Sequence, residues 1–425
     1  MSDLLIQFGS AVGAEHVTPG AGGLSAQGVA PHFVVSPGSV EELSEAMKIA
    51  AAARAAVIPW GGGTRQALGT PPVALDRPVV AMRTARLNQV LDYTPDDMTI
   101  SVGAGMTLEE IDRAVRPNGQ MLPMDVALPG RSTIGGALAC AADGPRRLGY
   151  GTFRDLFLGT KVVEAAGRIS KAGGMTVKNV SGFDLMKLYI GSMGSLAIFT
   201  SANFKLLPVP RAAATIACEF DTLESVFALV DTLHTSKLLP AACELVSAEG
   251  GEGFGLCVAT DGLAQAVARH KRDVPVLAQK AGARASHVLE GEEHDALWRR
   301  INDLSQTATL APDEMVLRVT SLASQLGPSL LALHEVAKKH ALRLQISARA
   351  LNGVAYVRTH GAAWRAFHQA ALAAVPDASI VTLGLGAPEP SVNVWGRPPN
   401  GLEVMRRIKA EFDPANILNP GRFLV

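Results

Sequence analysis

The feature that most constrains the fold of this chain is a pair of glycine-rich segments. The first runs from Pro59 to Arg65, reads PWGGGTR, and ends an apolar stretch. The second runs from Pro129 to Asp155 and reads PGRSTIGGALACAADGPRRLGYGTFRD. Glycines let backbone N–H groups come close to an anion while the chain turns through positive φ. Two such segments together predict a dinucleotide that is held from both sides.

The residue pattern around the first segment predicts an α/β domain. The runs HFVV and AVIP read as strands, with a capping box at Ser39-x-x-Glu42 for the helix between them. Thr107-x-x-Glu110 repeats the capping box after the strand-like run MTISVG. Prolines 208 and 210 close the pattern. We therefore place the first domain at residues 1–210.

The remaining chain predicts a second domain of a different kind. Strand-like runs (ATIACEF, GFGLCVAT, MVLRVT, GVAYVR) alternate with helical runs such as LESVFALVDTLH from residue 211 onward. This alternation favours an α+β domain, with an antiparallel sheet and helices on one face, over residues 211–400. A final helix, GLEVMRRIKAEF, and a turn-rich tail form the third segment, 401–425.

Several common sites are excluded by spacing. Gly103-Ala104-Gly105 opens a Rossmann-like pattern, but Leu108 stands where the third glycine belongs. Neither a Walker phosphate loop nor a G-x-S-x-G elbow occurs in the sequence. His334-Glu335 resembles the start of a zinc helix, yet the next histidine is His340, on the wrong face. We expect no metal site.

Composition limits the partners and the compartment. The 39 basic residues balance 39 acidic ones, so nucleic acid is not an expected partner. The four cysteines are too far apart for the spacing of iron–sulfur or structural zinc sites. Neither a signal peptide nor a membrane-spanning segment is recognisable. We expect a cytoplasmic protein, with peripheral attachment to the inner membrane through partners as an alternative.

The two glycine segments offer different groups to a ligand. Gly61, Gly62 and Gly63 supply free backbone, and Thr64 and Gln66 could add side-chain donors. Thr133-Ile134-Gly135-Gly136 opens an alanine-rich helix whose first amides could face the same ligand. Arg146, Arg147 and Arg154 are suited to a phosphate or a carboxylate. Cys140, alone among alanines, reads as a buried small residue.

The order of four motifs resembles a known family. PWGGGTRQALG, the second glycine segment, GGMTVKNVSGFDLMKLYIGSMGSLAIFTSANFKLLP and FDPANILNPGRF are similar to the FAD-linked oxidases of the vanillyl-alcohol oxidase type. Within that family the chain is most similar to FAD-binding subunits of bacterial glycolate oxidases. The resemblance covers residues 30–210 and the last twenty or so. It implies a two-subdomain FAD-binding domain of the p-cresol methylhydroxylase (PCMH) type, followed by an α+β cap domain, with the C-terminal segment returning to the FAD domain.

The resemblance also implies which residues bind FAD. Residues 61–66 would cradle the pyrophosphate, the second segment would follow the ribityl chain and the isoalloxazine, and Ile198 would contact the flavin through its backbone. Asn419-Pro420-Gly421-Arg422 would fold back toward the flavin. The full set of expected cofactor-binding residues is Trp60, Gly61, Gly62, Gly63, Thr64, Arg65, Gln66, Pro129, Gly130, Thr133, Ile134, Gly135, Gly136, Arg146, Tyr150, Gly151, Asp155 and Ile198.

Two departures from the motifs of the catalytic relatives favour a noncatalytic FAD-binding subunit. Their H-x-G-D-G-N-x-H motif is missing here, and their GSEG is Gly191-Ser192-Met193-Gly194. Thr64 and Arg65 stand where covalent family members often place a histidine, so we expect non-covalent FAD. The catalytic residues stay unknown, although His360 and Arg349 are candidates should the chain turn over substrate itself.

Three functions remain open at this stage. The first is an FAD-binding subunit of a glycolate oxidase-like complex, with a catalytic flavoprotein subunit and an iron–sulfur subunit as partners. Such a complex would oxidise glycolate or D-lactate, both small 2-hydroxy acids, to the 2-oxo acid. The second is a self-sufficient FAD-dependent 2-hydroxy acid dehydrogenase. The third is a non-catalytic scaffold subunit.

Overall fold

The chain forms two compact units in the computed structural model, which describes residues 2–74, 76–176, 183–247, 253–387, 389 and 391–425. The first unit comprises residues 1–143, 152–209 and 398–425. The second comprises residues 144–151 and 210–397. Residues 177–182, part of the third motif of the resemblance, lie outside the described residues. The domain bounds at 210 and 400 stay predictions.

Helices and strands alternate along most of the chain. The helices are Ser2–Val12 (α1), Val40–Ala52 (α2), Leu108–Val115 (α3), Ile134–Ala139 (α4), Arg147–Tyr150 (α5), Phe153–Leu156 (α6), Met186–Tyr189 (α7), Leu223–Thr235 (α8), Ala264–Lys280 (α9), Gly291–Asp303 (α10), Ala323–Lys339 (α11), Trp364–Ala374 (α12) and Leu402–Phe412 (α13). The strands are Val17–Pro19 (β1), Phe33–Val35 (β2), Ala56–Trp60 (β3), Val79–Arg83 (β4), Val90–Thr94 (β5), Thr99–Gly103 (β6), Gln120–Met121 (β7), Phe157–Glu164 (β8), Ile169–Gly173 (β9), Ala197–Lys205 (β10), Leu207–Pro208 (β11), Ala212–Phe220 (β12), Ala242–Ser247 (β13), Phe254–Gly262 (β14), Ala285–Leu289 (β15), Glu314–Thr320 (β16), Arg343–Arg349 (β17), Val354–His360 (β18) and Ser379–Leu385 (β19).

The first unit begins with a small mixed sheet of order β1-β2-β4-β3. Strands β2, β4 and β3 run parallel, as the strand–helix–strand pattern predicts. The Ser39 hydroxyl accepts a hydrogen bond from the amide of Glu42 and starts α2. The buried face of α2, including Leu43 and Met47, packs in one core with Val57 and Val80 of the sheet. This packing fixes where β3 ends and the first glycine segment begins.

A second sheet of the same unit is antiparallel and has the order β5-β6-β10-β8-β9. The predicted capping box is present: Thr107 accepts from the Glu110 amide, and the Glu110 carboxylate accepts from the Thr107 amide at 2.7 Å. Its core holds Ile100 and Val102 of β6 together with Ile134 and Leu138 of α4. The second glycine segment is therefore anchored on this sheet.

The C-terminal segment is built into the first unit. Leu418 forms a parallel bridge with Val57 of β3, in which the Val57 amide donates to the Ile417 carbonyl at 2.7 Å. The Asn419 amide in turn donates to the Val57 carbonyl at 2.8 Å. Residues 417–419 thus extend the β3 edge, and the predicted return of this segment to the first unit is confirmed.

The second unit is an eight-stranded antiparallel sheet of order β15-β12-β14-β13-β17-β18-β16-β19. Alternate strand residues, such as Leu245 and Val357, share one core with α8, α9, α11 and α12. The predicted antiparallel sheet is therefore confirmed. One helix departs from the prediction of a single helical face, because Trp298 and Ile301 of α10 pack with Ala242 and Ala259 on the opposite face. None of the described helices is both long and apolar enough to cross a membrane.

Candidate functional site

The first glycine segment follows β3 directly and borders a cleft in the first unit. Gly63 has φ +71°, a conformation that favours glycine. Gly61 and Gly62 need glycine for another reason: a Cβ on Gly61 would overlap the Thr133 hydroxyl, and one on Gly62 would overlap the Arg131 carbonyl oxygen. The two predicted glycine segments are therefore packed directly against each other.

Three backbone donors of the first segment have no partner in the described part of the chain. None of the amides of Gly61, Gly62 and Gly63 donates a hydrogen bond to another described residue. Bare amides beside a cleft form a concave site for an anion, because each can donate one hydrogen bond without a steric cost. The first segment thus has the chemistry of a phosphate cradle.

In the second segment, the first amides of α4 form hydrogen bonds within the protein. The amide of Ile134 donates to the Met106 carbonyl at 2.8 Å, and that of Gly135 donates to the Ala104 carbonyl at 2.9 Å. The Thr133 hydroxyl accepts from the amide of Gly136 at 3.4 Å. The first amides of α4 are therefore already used, and the expectation that they face the ligand as donors is wrong. Gly135 and Gly136 still line the cleft as a smooth, side-chain-free wall.

Side chains join the two segments across the cleft. Thr64 Oγ1 and Ser132 Oγ share a hydrogen bond of 3.1 Å, and Ser132 donates to the Ala127 carbonyl at 2.6 Å. Arg65 Nη1 lies 3.3 Å from Thr64 Oγ1 and 3.4 Å from Ser132 Oγ. This network orients the Arg65 guanidinium along the cleft wall, where a planar cation suits a phosphate.

The C-terminal segment supplies a further wall. Asn419 and Arg422 line the cleft together with the first glycine segment. Arg422 Nη1 donates to Gln66 Oε1 at 2.6 Å, and its Nη2 donates to the carbonyls of Gln66 and Leu68, both at 2.8 Å. Burial lowers the pKa of Arg422 to about 10. The arginine remains charged at neutral pH and adds a second cation to the cleft.

The electrostatic character of the cleft follows from what lines it. Its described lining includes Arg65 and Arg422 but no aspartate, glutamate or histidine. Cys140 also lines it, and burial raises the pKa of that thiol against the opposing effect of the two arginines. A positive cleft without a carboxylate favours a polyanionic ligand. It also lacks a general base among those described residues.

The predicted cofactor residues divide into two groups. Eleven line the cleft: Trp60, Gly61, Gly62, Gly63, Thr64, Arg65, Gln66, Thr133, Gly135, Gly136 and Ile198. Pro129, Gly130, Ile134, Arg146, Tyr150, Gly151 and Asp155 do not appear in its lining. Sequence reasoning missed Pro59, Thr84, Met193, Gly194, Ala197 and Phe199 as lining residues and treated Cys140 only as a core residue. Several of these adjoin predicted residues, which is the signal that could have found them.

The residues outside the lining have structural partners. Arg146, Tyr150 and Gly151 belong to the second unit, where Tyr150 Oη donates to Asp261 Oδ2 at 2.7 Å. Asp155 accepts from the Thr152 amide at 2.7 Å at the start of α6. Their assignment to the cofactor stays a prediction without support from these contacts.

The two residues considered for a substrate site, His360 and Arg349, lie in the second unit and are engaged there. His360 Nδ1 lies 3.0 Å from Glu314 Oε1, and the Arg349 guanidinium lies 4.3 Å from the centre of the Tyr356 ring. His368 is buried, lies 3.1 Å from Thr382 Oγ1, and has its pKa lowered by burial. In the described ranges, no group of three or more His, Cys, Asp or Glu side chains is placed to hold a metal ion.

The cleft residues fit FAD on three observations. The glycine segment presents bare amides, two arginines provide positive charge, and two buried polar atoms of the C-terminal wall, Asn419 Oδ1 and Arg422 Nε, have no partner among the described residues. Each of these groups requires a polar or anionic counterpart to offset its burial. A dinucleotide with a pyrophosphate supplies both.

Comparisons with known proteins agree with this geometry. The model of the FAD binding domain matches residues 31–173, and that of the C-terminal domain of FAD linked oxidases matches residues 394–423. The chain is 28% identical to glycolate oxidase subunit GlcD of Bacillus subtilis over 421 residues, covering 92% of this chain and 88% of that protein. It is 35% identical to glycolate oxidase subunit GlcE of Escherichia coli over 170 residues, covering 39% of this chain and 49% of that protein.

The fold is also found among solved structures. A crystal structure of p-cresol methylhydroxylase with substrate bound superposes with a TM-score of 0.75 at 16% identity, covering 99% of this chain and 96% of that one. The predicted resemblance, the α+β fold of the PCMH type and FAD as the cofactor are therefore confirmed.

Proposed function

We propose that this chain, an FAD-dependent oxidoreductase similar to the FAD-linked oxidases over residues 31–173 and 394–423, is the FAD-binding subunit of a glycolate oxidase-type complex. One observation carries the proposal. The cleft combines bare amides and two arginines, suited to a pyrophosphate, with a described lining that offers neither a carboxylate nor an imidazole as a base. Such a site can hold a redox cofactor without itself activating a hydroxyl group.

The chemistry of the reaction divides the work between subunits. Oxidation of a 2-hydroxy acid removes a hydride from Cα and a proton from the hydroxyl group, so the substrate site needs a base. Bound FAD would supply the redox capacity. In this proposal the partner flavoprotein oxidises glycolate or D-lactate, and this chain accepts or relays the electrons. GlcD and GlcE, which the chain resembles, are each named as glycolate oxidase subunits, which supports the assignment to a complex.

The proposed roles follow from contacts in the cleft. Gly61 to Gly63 would donate to the pyrophosphate, Arg65 would compensate its charge, and Gly135 and Gly136 would lie along the flexible part of the cofactor. Ile198, at the second residue of β10, would contact the cofactor through its backbone. FAD binding would be non-covalent.

An iron–sulfur subunit is the proposed electron exit. Cys218, Cys243 and Cys257 are buried, and burial raises the pKa of each thiol, which opposes the thiolate form that a cluster requires. We place the complex in the cytoplasm, with peripheral attachment to the inner membrane through its partners as part of the proposal.

The proposal is tested in two stages. The purified chain is reconstituted with FAD, freed of excess flavin and mildly denatured, and we expect FAD to be released in a 1:1 ratio, on the order of one flavin per chain. Failure to retain any flavin contradicts the proposal. The loaded chain is then mixed anaerobically with glycolate or D-lactate, and we expect no loss of flavin absorbance until the catalytic flavoprotein is added. Rapid bleaching by the chain alone identifies a self-sufficient dehydrogenase instead.

A further inference from the structure

The C-terminal wall of the cleft contains two buried polar side chains that are only partly satisfied. Arg422 is 2% exposed and Asn419 is 4% exposed. Asn419 Nδ2 donates to the Met193 carbonyl at 2.5 Å, and both Nη atoms of Arg422 donate to residues 66 and 68. Asn419 Oδ1 and Arg422 Nε have no partner among the described residues. One acceptor and one charged donor are thus left over on the same wall.

A buried cation needs a counter-ion. Burial disfavours the charged form of Arg422, and its guanidinium donates to neutral oxygens of Gln66 and Leu68 in the described part of the chain. The neighbouring Cys140 thiol does not serve, since burial raises its pKa and keeps it protonated near neutral pH. Asp413, on the same segment, is already paired with Lys409 at 2.5 Å. Since none of the described partners of Arg422 carries the negative charge, we assign that charge to a ligand.

The position of Arg422 indicates which part of a ligand it meets. Its guanidinium holds both the side chain and the carbonyl of Gln66, at the end of the segment whose glycine amides are bare. An anion bound by those amides lies in the same cleft as Arg422. A diphosphate is the anionic group that both the amides and the guanidinium recognise.

We propose that Arg422 contacts the pyrophosphate of FAD, and that Asn419 Oδ1 accepts a hydrogen bond from the same cofactor. This inference rests on the proposed function. It assigns to the C-terminal segment a direct part in binding, beyond closing the cleft sterically.

The remaining anchors of the segment allow this to be tested without releasing it. Arg77 Nη1 donates to the Asn416 carbonyl at 2.9 Å and thus also holds the segment, but Arg77 does not line the cleft. The bridge of Leu418 to Val57 is independent of both arginines. Arg77→Met is therefore the matched control for Arg422→Met, since each removes one arginine that fastens the segment.

The experiment titrates the apo-protein with FAD, ADP and riboflavin. We expect Arg422→Met to raise the Kd for FAD and for ADP by about 10- to 150-fold, the range of a hydrogen bond to a charged group. The Kd for riboflavin, which has no phosphate, should change less than about threefold, and Arg77→Met should leave all three near their wild-type values. Arg422→Lys keeps the charge and should recover part of the loss.

Circular dichroism establishes whether each apo-variant is folded. If Arg422→Met is unfolded, the Kd values of Arg422→Lys are compared with those of wild type instead. An unchanged Kd for FAD in Arg422→Met overturns the inference, as does an equal loss of riboflavin binding or an equal loss in Arg77→Met. Wild-type protein that binds no FAD overturns the proposed function instead, so the two failures are distinguishable.

Discussion

Replacing Lys409 by methionine should destabilise the first unit and release the C-terminal wall of the cleft. Lys409 is 6% exposed and Asp413 is 1% exposed. Lys409 Nζ donates to Asp413 Oδ2 at 2.5 Å, to the Ser195 carbonyl at 2.9 Å and to the Leu418 carbonyl at 3.0 Å. This one ammonium group therefore links α13 both to the loop before β10 and to the segment that carries Asn419 and Arg422.

The magnitude follows from the charge that is left behind. Removing one partner of a buried ion pair costs about 3–5 kcal/mol, because the other charge stays buried without compensation. Asp413 keeps two amide donors, from Ile417 at 3.0 Å and Leu418 at 2.8 Å, so we expect the lower end of that range. Against a total stability of about 5–15 kcal/mol, this loss is large.

The assay is urea unfolding of the apo-protein, followed by circular dichroism, together with an FAD titration of each variant. The double variant Lys409→Met/Asp413→Asn leaves no lone charge and should recover part of the stability. Arg406→Met is the control on the same helix, because its 3.3 Å pair with Glu403 is exposed and should contribute less than about 1 kcal/mol.

The reasoning is refuted by a Lys409→Met variant whose unfolding free energy lies within about 1 kcal/mol of wild type. A double variant no more stable than the single one would contradict the charge argument, although not the packing of the helix. Weakened FAD binding in Lys409→Met without any loss of stability would also be inconsistent with it.

Three further predictions concern the cleft and the second unit. Gly62→Ala should weaken FAD binding at least about fivefold, because overpacking of a tight contact costs about 1–3 kcal/mol. Gly401→Ala, whose Cβ meets nothing within 4 Å, should bind FAD like wild type, and equal affinities of the two variants would exclude the packing argument. Iodoacetamide should modify Cys140 before the three buried cysteines. Saturating FAD should slow the modification of Cys140, followed by mass spectrometry, at least about fivefold. An unaffected rate would place the thiol away from the cofactor. Burial lowers the pKa of His368, so the unfolded chain binds a proton at a higher pH than the folded chain does, and the free energy of unfolding should fall as the pH drops below the ordinary histidine pKa. In urea unfolding, His368→Gln should reduce this pH dependence, which for one group is at most about 1.4 kcal/mol per pH unit. An unaltered slope in the variant would assign the dependence to another group.

Local sequence was sufficient where local chemistry decides the structure. The capping residues Ser39 and Thr107 begin helices as predicted, since a hydroxyl beside a free amide needs no distant partner. The strand before the first glycine segment ends at Trp60, as its apolar run indicates. The meeting of both glycine segments at one cleft also followed from their composition and from the family resemblance.

Hydrogen-bond partners that are distant in the sequence could not be predicted from local patterns. The amides of Ile134 and Gly135 appeared free for a ligand, but they bond to the carbonyls of Met106 and Ala104, more than 25 residues earlier. Such pairings depend on sheet order and register, which periodicity alone does not determine.

The first unit is interrupted in the chain, because residues 398–425 are made only after the second unit has been synthesised. At roughly 5–20 residues per second, about 10–40 s separate the last strand of the main part from Asn419 and Arg422. During this interval of translation, the β3 edge is therefore not yet paired with Leu418. If Asn419 and Arg422 contact the cofactor as proposed, a nascent chain can bind FAD tightly only after residues 419–422 have been translated.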